Sequence, residues 1–279
     1  MMDSLLSYWE IPLFRYALFG GVLVALCAAL LGTTLVLRRF SMIGDGLSHI
    51  GFGALAAASV ANVLPMAVAI PVMIAAAFLL LRGSAQGKLR GDAAVALMST
   101  TCLAAGMILT YLGGGTNVDL MNYLFGSIFS LSQKDLWLAI ALASLVLPCY
   151  GLLYHRIFAV TFDEPFARAT GVQAGAFQFA TAVFTALTIV LGMRLTGTLL
   201  ISCLLVFPTL SAMRINGSFF GVTLISAAIG VGCFLLGFVL ACLYPGGLPA
   251  GASIVAVNAA AFSICAGAGE IVRRRRAHH

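Results

Sequence analysis

Apolar runs of about twenty residues, separated by short polar breaks, succeed one another along almost the whole chain. A helix needs about 20 apolar residues to cross the hydrocarbon core of a bilayer. The runs divide into nine segments of about that size: 13–37, 45–61, 64–81, 92–112, 135–154, 177–193, 197–213, 219–243 and 250–271. The pattern predicts an all-α polytopic membrane protein with about nine transmembrane helices. Residues 120–131 (LMNYLFGSIFSL) form a run too short to cross and are expected to make an interfacial or re-entrant helix. No stretch between Leu13 and Ile271 is polar enough for a separate soluble domain, so residues 1–279 read as one transmembrane domain. The start mixes Asp3, Glu10 and Pro12 with apolar residues and lacks the basic region of a cleaved signal peptide.

Composition agrees with lipid as the solvent. Of the 279 residues, 62% are apolar and 9% charged, against about 25% charged in an average globular protein. The formal net charge of +6 does not point to nucleic acid, because the bases lie in short clusters between apolar runs. Arg38, Arg39, Arg82, Lys88, Arg90, Arg156, Arg168, Arg214 and Arg273 to Arg276 fall on one side of the predicted topology; only Arg15, Lys134 and Arg194 fall on the other. The basic side is expected to be cytoplasmic. An odd number of spans then puts the N-terminus outside and the C-terminus inside, with the terminal arginine run as its anchor. The seven cysteines are scattered singly within apolar segments and read as small buried hydrophobes rather than metal or disulfide pairs.

Glycine recurs inside the spans, at 51 and 53, at 230, 232 and 237, and at 267 and 269, where small residues let membrane helices approach closely. Pro65, Pro71, Pro148 and Pro208 lie in or beside spans and interrupt helices whose neighbours must re-satisfy the backbone. Close packing with bent helices suits a gated pathway better than a simple anchor.

Charged side chains inside a span cost about 2.5–3.5 kcal/mol at its centre on insertion scales, and therefore face protein or water. Asp45 and His49, in the run DGLSH, are four residues apart at the start of the second span and share a helix face. A carboxylate beside an imidazole offers two ligands to zinc or another transition metal. The plainer alternative is that Asp45 caps the helix while Ser48 and His49 hydrogen-bond to a neighbouring helix. Two ligands are half of a tetrahedral site, an incompleteness that suits a cargo that must also leave.

The other polar residues have simpler readings. Asp119 lies in an outer loop, Asp92 and Asp135 open helices as caps, and Arg194 snorkels to an outer surface. With only His49 and His155 in the body of the chain, no nucleophilic triad emerges. The segment GSAQGKL (83–89) has three residues between its glycines and Leu89 where a phosphate loop needs Ser or Thr, so ATP hydrolysis must come from another polypeptide. The longest cytoplasmic segment, 155–176, is either a solvated loop with a helical turn or a docking helix bounded by Pro165 and Gly171.

Taken together, several segments resemble the membrane permease subunits of ATP-binding-cassette importers for zinc and manganese. They are RRFSMIGDGLSH (38–49), VDLMNYLFG (118–126) with SLSQKDL (130–136), FDEPFARATG (162–171), TGTLLISCLLVFP (196–208) and LPAGAS (248–253), in family order along nearly the whole chain. The resemblance implies a multi-pass permease in a bacterial-type inner membrane, working as a homodimer or with a related permease copy. Its implied partners are cytoplasmic ATP-binding-cassette ATPase subunits and an extracytoplasmic metal-binding protein. The chain itself would be no enzyme and bind no cofactor, the metal being cargo.

In this picture Asp45 and His49 match the family's metal-contacting pair. Asp163, Glu164, Ala167 and Gly171 match the coupling helix that rests on the ATPase. Gly46 and Ile50-Gly51-Phe52 depart from common family variants, and the DLMNYLFG pattern leans towards zinc members over manganese members. The competing class is an ion-coupled secondary transporter with Asp45 and His49 as a proton relay. A membrane enzyme would want a third intramembrane acid or histidine beside the pair, and none accompanies it.

Overall fold

The computed structural model describes residues 11–85, 91–114, 132–244 and 248–277. In lipid, backbone polar groups must be satisfied within the segment, which leaves helices as the open-ended solution, and the described residues contain no strand. The helices are α1 (Pro12–Leu37), α2 (Ile43–Val60), α3 (Pro65–Ala85), α4 (Gly91–Leu112), α5 (Gln133–Leu152), α6 (Tyr154–Phe162), α7 (Glu164–Ala169), α8 (Ala174–Thr196), α9 (Thr198–Ile215), α10 (Phe219–Leu243) and α11 (Ala250–Ala277).

Seven of them, α1, α4, α5, α8, α9, α10 and α11, are long and apolar enough to cross a membrane by length and composition. The predicted spans 45–61 and 64–81 become α2 and α3, which fall short of that measure. Asp45, Ser48, His49 and four glycines dilute α2, and the apolar part of α3 stops at Leu81. The expected interfacial helix at 120–131 and Asp119 lie outside the described residues, as do residues 245–247 and residues 86–89 of the glycine-containing 83–89 segment.

The centre of the bundle is α1, most of whose length is buried, packed against α9, α10, α5 and α8. The other buried helix is α2, held between α4, α3 and α9. Little of α4 and α11 is buried, and both lie at the periphery. One set of interior hydroxyls is satisfied across three helices. Thr33 of α1 lies 3.5 Å from Thr209 of α9, which lies 3.1 Å from Ser226 of α10, and Ser226 donates to the Ala29 carbonyl at 3.3 Å.

Glycines set how closely these helices cross. Gly197 alone joins α8 to α9, at φ +83°, a conformation open to glycine without strain. Gly32 packs on the backbone of α9, where an added Cβ would overlap the Leu205 carbonyl group. Gly32→Ala is therefore expected to destabilise the fold by about 1–3 kcal/mol, the usual range for overpacking. Thermal unfolding of the detergent-solubilised protein should show a lowered Tm, and an unchanged Tm would mean that this crossing has room to spare.

Candidate functional site

The α1–α2 turn is the first part of the site. Phe40 N–H donates to Leu35 O and Arg39 N–H to Val36 O, both at 2.9 Å, with Arg39 at φ +65°. This is a Schellman closure of α1 in which arginine occupies the position usually given to glycine, at a cost of roughly 1–2 kcal/mol. The turn delivers the chain directly into α2, with Ile43 N–H bonded to Phe40 O at 3.1 Å.

Asp45 and His49 follow within the next two turns of helix. No side chain caps the N-terminus of α2, so the capping role open to Asp45 is not taken up. Instead its Oδ1 faces His49 Nε2 at 3.5 Å. Ser48 donates to the Asp45 carbonyl at 2.7 Å, within its own helix and not to a neighbour. The Asp45 side chain is 48% exposed and that of His49 17%, while His49 Nδ1 is buried without a hydrogen-bond partner among the described residues. Separation of the pair is long for an N–H···O bond. With zinc–ligand distances of about 2.0–2.2 Å, it would close to an N–metal–O angle of about 110–120°, near tetrahedral. No group of three or more His, Cys, Asp or Glu side chains suited to a metal occurs among the described residues, which offer the pair alone.

Neighbouring glycines hold the pair in place. On one side of α2, an added Cβ on Gly53 would lie 2.7 Å from the Cys102 carbonyl oxygen of α4, and Gly46 packs against Val95 one turn below Ser99. On another side Gly44 meets Leu205 of α9, and Gly51 meets Met73 of α3 and Met193 of α8. Asp45, His49, Gly53 and Ala57, at four-residue intervals, form a half-exposed line along an otherwise buried helix. The Asp45 and His49 side chains therefore reach the side of the bundle, one turn from the close α2–α4 contact at Gly53.

The second part of the site is the short helix α7. Asp163 caps it, accepting from Phe166 N–H at 2.9 Å. Gly171, at φ +85°, ends it with Val172 N–H on Ala167 O at 3.0 Å and its own N–H on Arg168 O at 3.1 Å, a Schellman closure again. Ala167 is fully buried beneath it, packed with Val160 and Ala174. Glu164 points inward, its carboxylate accepting from Arg38 at 3.0 Å, Arg168 at 2.6 Å and Gln178 of α8 at 2.6 Å. The four residues assigned to docking thus form the frame of α7, and its outward face is Pro165, Phe166 and Arg168. Burial pulls the Arg38 guanidinium below its ordinary pKa, and the Glu164 carboxylate opposes that shift.

Two sequence readings change. Asp135 is not the cap of α5: Ser132 is, and Asp135 is the reciprocal partner in its capping box. Arg194 does not merely snorkel, because its Nη1 lies 3.5 Å from Asp135 Oδ1 and ties the end of α8 to the start of α5. Asp92 is the second residue of α4. Sequence reasoning treated Arg38 as a topology signal and passed over Gln178. Nothing local marks either, since their common partner is distant along the chain.

The family model described as "ABC 3 transport family" matches residues 10–267. The high-affinity zinc uptake system membrane protein ZnuB of Haemophilus influenzae is 30% identical over 71% of this chain and 76% of its own. The manganese import system permease protein ScaB of Streptococcus gordonii is 26% identical over 89% and 88%. Among solved structures, PsaBC from Streptococcus pneumoniae in complex with Fab matches with a TM-score of 0.82 at 24% identity, covering 95% of this chain and 94% of that one, which shows a shared fold.

Proposed function

The chain belongs to the ABC 3 transport family, and from that premise we propose that it is the membrane-spanning permease subunit of an ATP-driven importer of divalent transition metal ions. The observation that carries the metal reading is the facing of Asp45 Oδ1 and His49 Nε2 at 3.5 Å on a helix otherwise buried in the bundle. ATP hydrolysis belongs to cytoplasmic partner subunits that rest on α7, and an extracytoplasmic binding protein delivers the ion. All nine long helices cross the bacterial inner membrane, with the N-terminus outside and the arginine-rich C-terminus in the cytoplasm.

The half-exposed line from Asp45 to Ala57 supports a second permease copy. Polar groups in a span avoid lipid, so a partner helix bundle would cover that line and convert it from a groove into a path. Each copy then lends one Asp/His pair to the passing ion, with the imidazole neutral and the carboxylate ionised. An imidazole–carboxylate pair binds zinc more tightly than manganese by the general order of divalent affinities, so zinc is the favoured cargo. Relatives of both kinds resemble the chain.

The test is reconstitution of the permease with its ATPase subunits and binding protein in proteoliposomes, loaded in turn with zinc and manganese. Uptake should require ATP and all components, and zinc should compete out manganese. Uptake by the permease alone, driven by an ion gradient, would instead identify a secondary transporter.

A further inference from the structure

Glu164 makes more contacts than a docking residue needs. It is the first residue of a six-residue helix locked at both ends, by the Asp163 cap and the Gly171 closure, so α7 moves as one piece. Its carboxylate reaches back across 126 residues to Arg38. Arg38 in turn is the C-cap of α1, one residue before the strained Arg39 turn, and its guanidinium lies over the Phe40 ring at 6.0 Å to the centroid. Phe40 packs against the main core, and its carbonyl takes the N–H of Ile43 in the first turn of α2. Asp45 is two residues further on. The path from the cytoplasmic helix to the candidate metal pair is therefore one ion pair followed by one short, tightly bonded turn.

We propose that the Glu164–Arg38 ion pair is the link that passes displacement of α7 to α2, making Glu164 and Arg38 positioning residues for Asp45 and His49 rather than contacts for the ATPase. The inference rests on the transport reading above. Arg38 is 10% exposed and Glu164 19%, so the pair is sheltered, unlike a solvated surface bridge: neutralising Glu164 strands the Arg38 charge, whereas without Arg38 the carboxylate keeps Arg168 and Gln178 but loses its tie to the α1–α2 turn. Arg168 and Gln178 hold the same carboxylate, which fixes its direction towards Arg38. A bistable packing change at the turn would tilt the start of α2 and thereby alter the Asp45–His49 geometry.

The experiment compares Arg38→Met, Glu164→Gln and the double variant with the unaltered protein in the full reconstituted complex, reading zinc moved per ATP hydrolysed alongside ATPase co-purification. Each single variant is expected to keep its ATPase subunits and its basal ATP hydrolysis while losing about tenfold in zinc moved per ATP, within the usual range of coupling energies. The double variant should lose no more than either single one, because both remove the same link, and Arg38→Lys should retain most coupling. If Arg38→Met fails to accumulate, Glu164→Asp, shortened by one methylene, should show the same loss. Loss of ATPase co-purification in Glu164→Gln with normal coupling in Arg38→Met would overturn the proposal in favour of direct docking, as would wild-type ratios in both or multiplying effects in the double variant. Failure of the unaltered complex to move any divalent ion would defeat the transport reading itself, whereas unchanged variants beside a working complex defeat only this link.

Discussion

Replacing either Asp45 or His49 by alanine should reduce metal uptake by the reconstituted importer at least a hundredfold while leaving the complex assembled. Loss of a group that only orients a metal ligand costs about 10–100-fold, and these two residues would be ligands themselves. Neither change should harm the fold. The Asp45 side chain is 48% exposed, makes no cap and has His49 as its one partner among the described residues, so its removal relieves a costly charge in a span. Asp45→Asn keeps a ligand oxygen but not its charge and should fall between alanine and the native residue. Uptake of radioactive zinc, with size-exclusion profiles as the check on assembly, decides the matter. Native rates in either alanine variant would remove the pair from the ion's path.

The lateral position of the pair gives these variants a second reading. If a second copy covers the line from Asp45 to Ala57, bulk placed on that line should block the path without touching a ligand. α2 is poorer in apolar residues than its neighbours because its glycines serve close approach to α4 and α9 and Asp45, Ser48 and His49 occupy its first two turns. A helix that carries polar side chains and sits inside a bundle gives up part of the hydropathy by which spans are recognised.

How far the sequence discloses this arrangement depends on the range of the physics involved. Long helices are legible because lipid imposes one rule on every residue of a span, and the ends of α1, α4, α5 and α10 fall within two residues of the expected ones. The Asp45–His49 pairing is legible because four-residue spacing on a helix is local geometry. By contrast, α7 is too short for any periodicity to show which side faces inward. The tie between its Glu164 and Arg38, 126 residues away, is therefore not visible in the sequence. The α1–α2 turn is hidden for a related reason, because its left-handed residue is Arg39 and not the glycine that announces such turns. Asp135 and Arg194 escape notice as a pair because each has an adequate local explanation on its own.

Phe166→Asp is expected to give the second large effect, loss of the ATPase subunits with the permease fold preserved. Phe166 is 62% exposed on the outward face of α7, and Phe162 at the end of α6 is nearly as open. Phe162 belongs to an aromatic ridge that also includes Phe158 and Phe219. An exposed phenylalanine on a capped, rigid helix in a region bathed by water has no folding benefit to explain it, whereas an aromatic anchor entering a groove is the usual centre of a binding surface. Such anchors contribute about 2–4 kcal/mol, so a carboxylate in place of the ring should weaken association by about 30-fold or more. Co-purification of the ATPase subunits measures this directly, with permease yield and Tm as controls. Because Glu164 faces Arg38, Glu164→Gln should leave co-purification unchanged, and a contrast between the two variants would separate a face of α7 that docks the ATPase from a face that acts on α2. Full ATPase retention in Phe166→Asp would move the docking surface off α7 and leave the inward network without a driver.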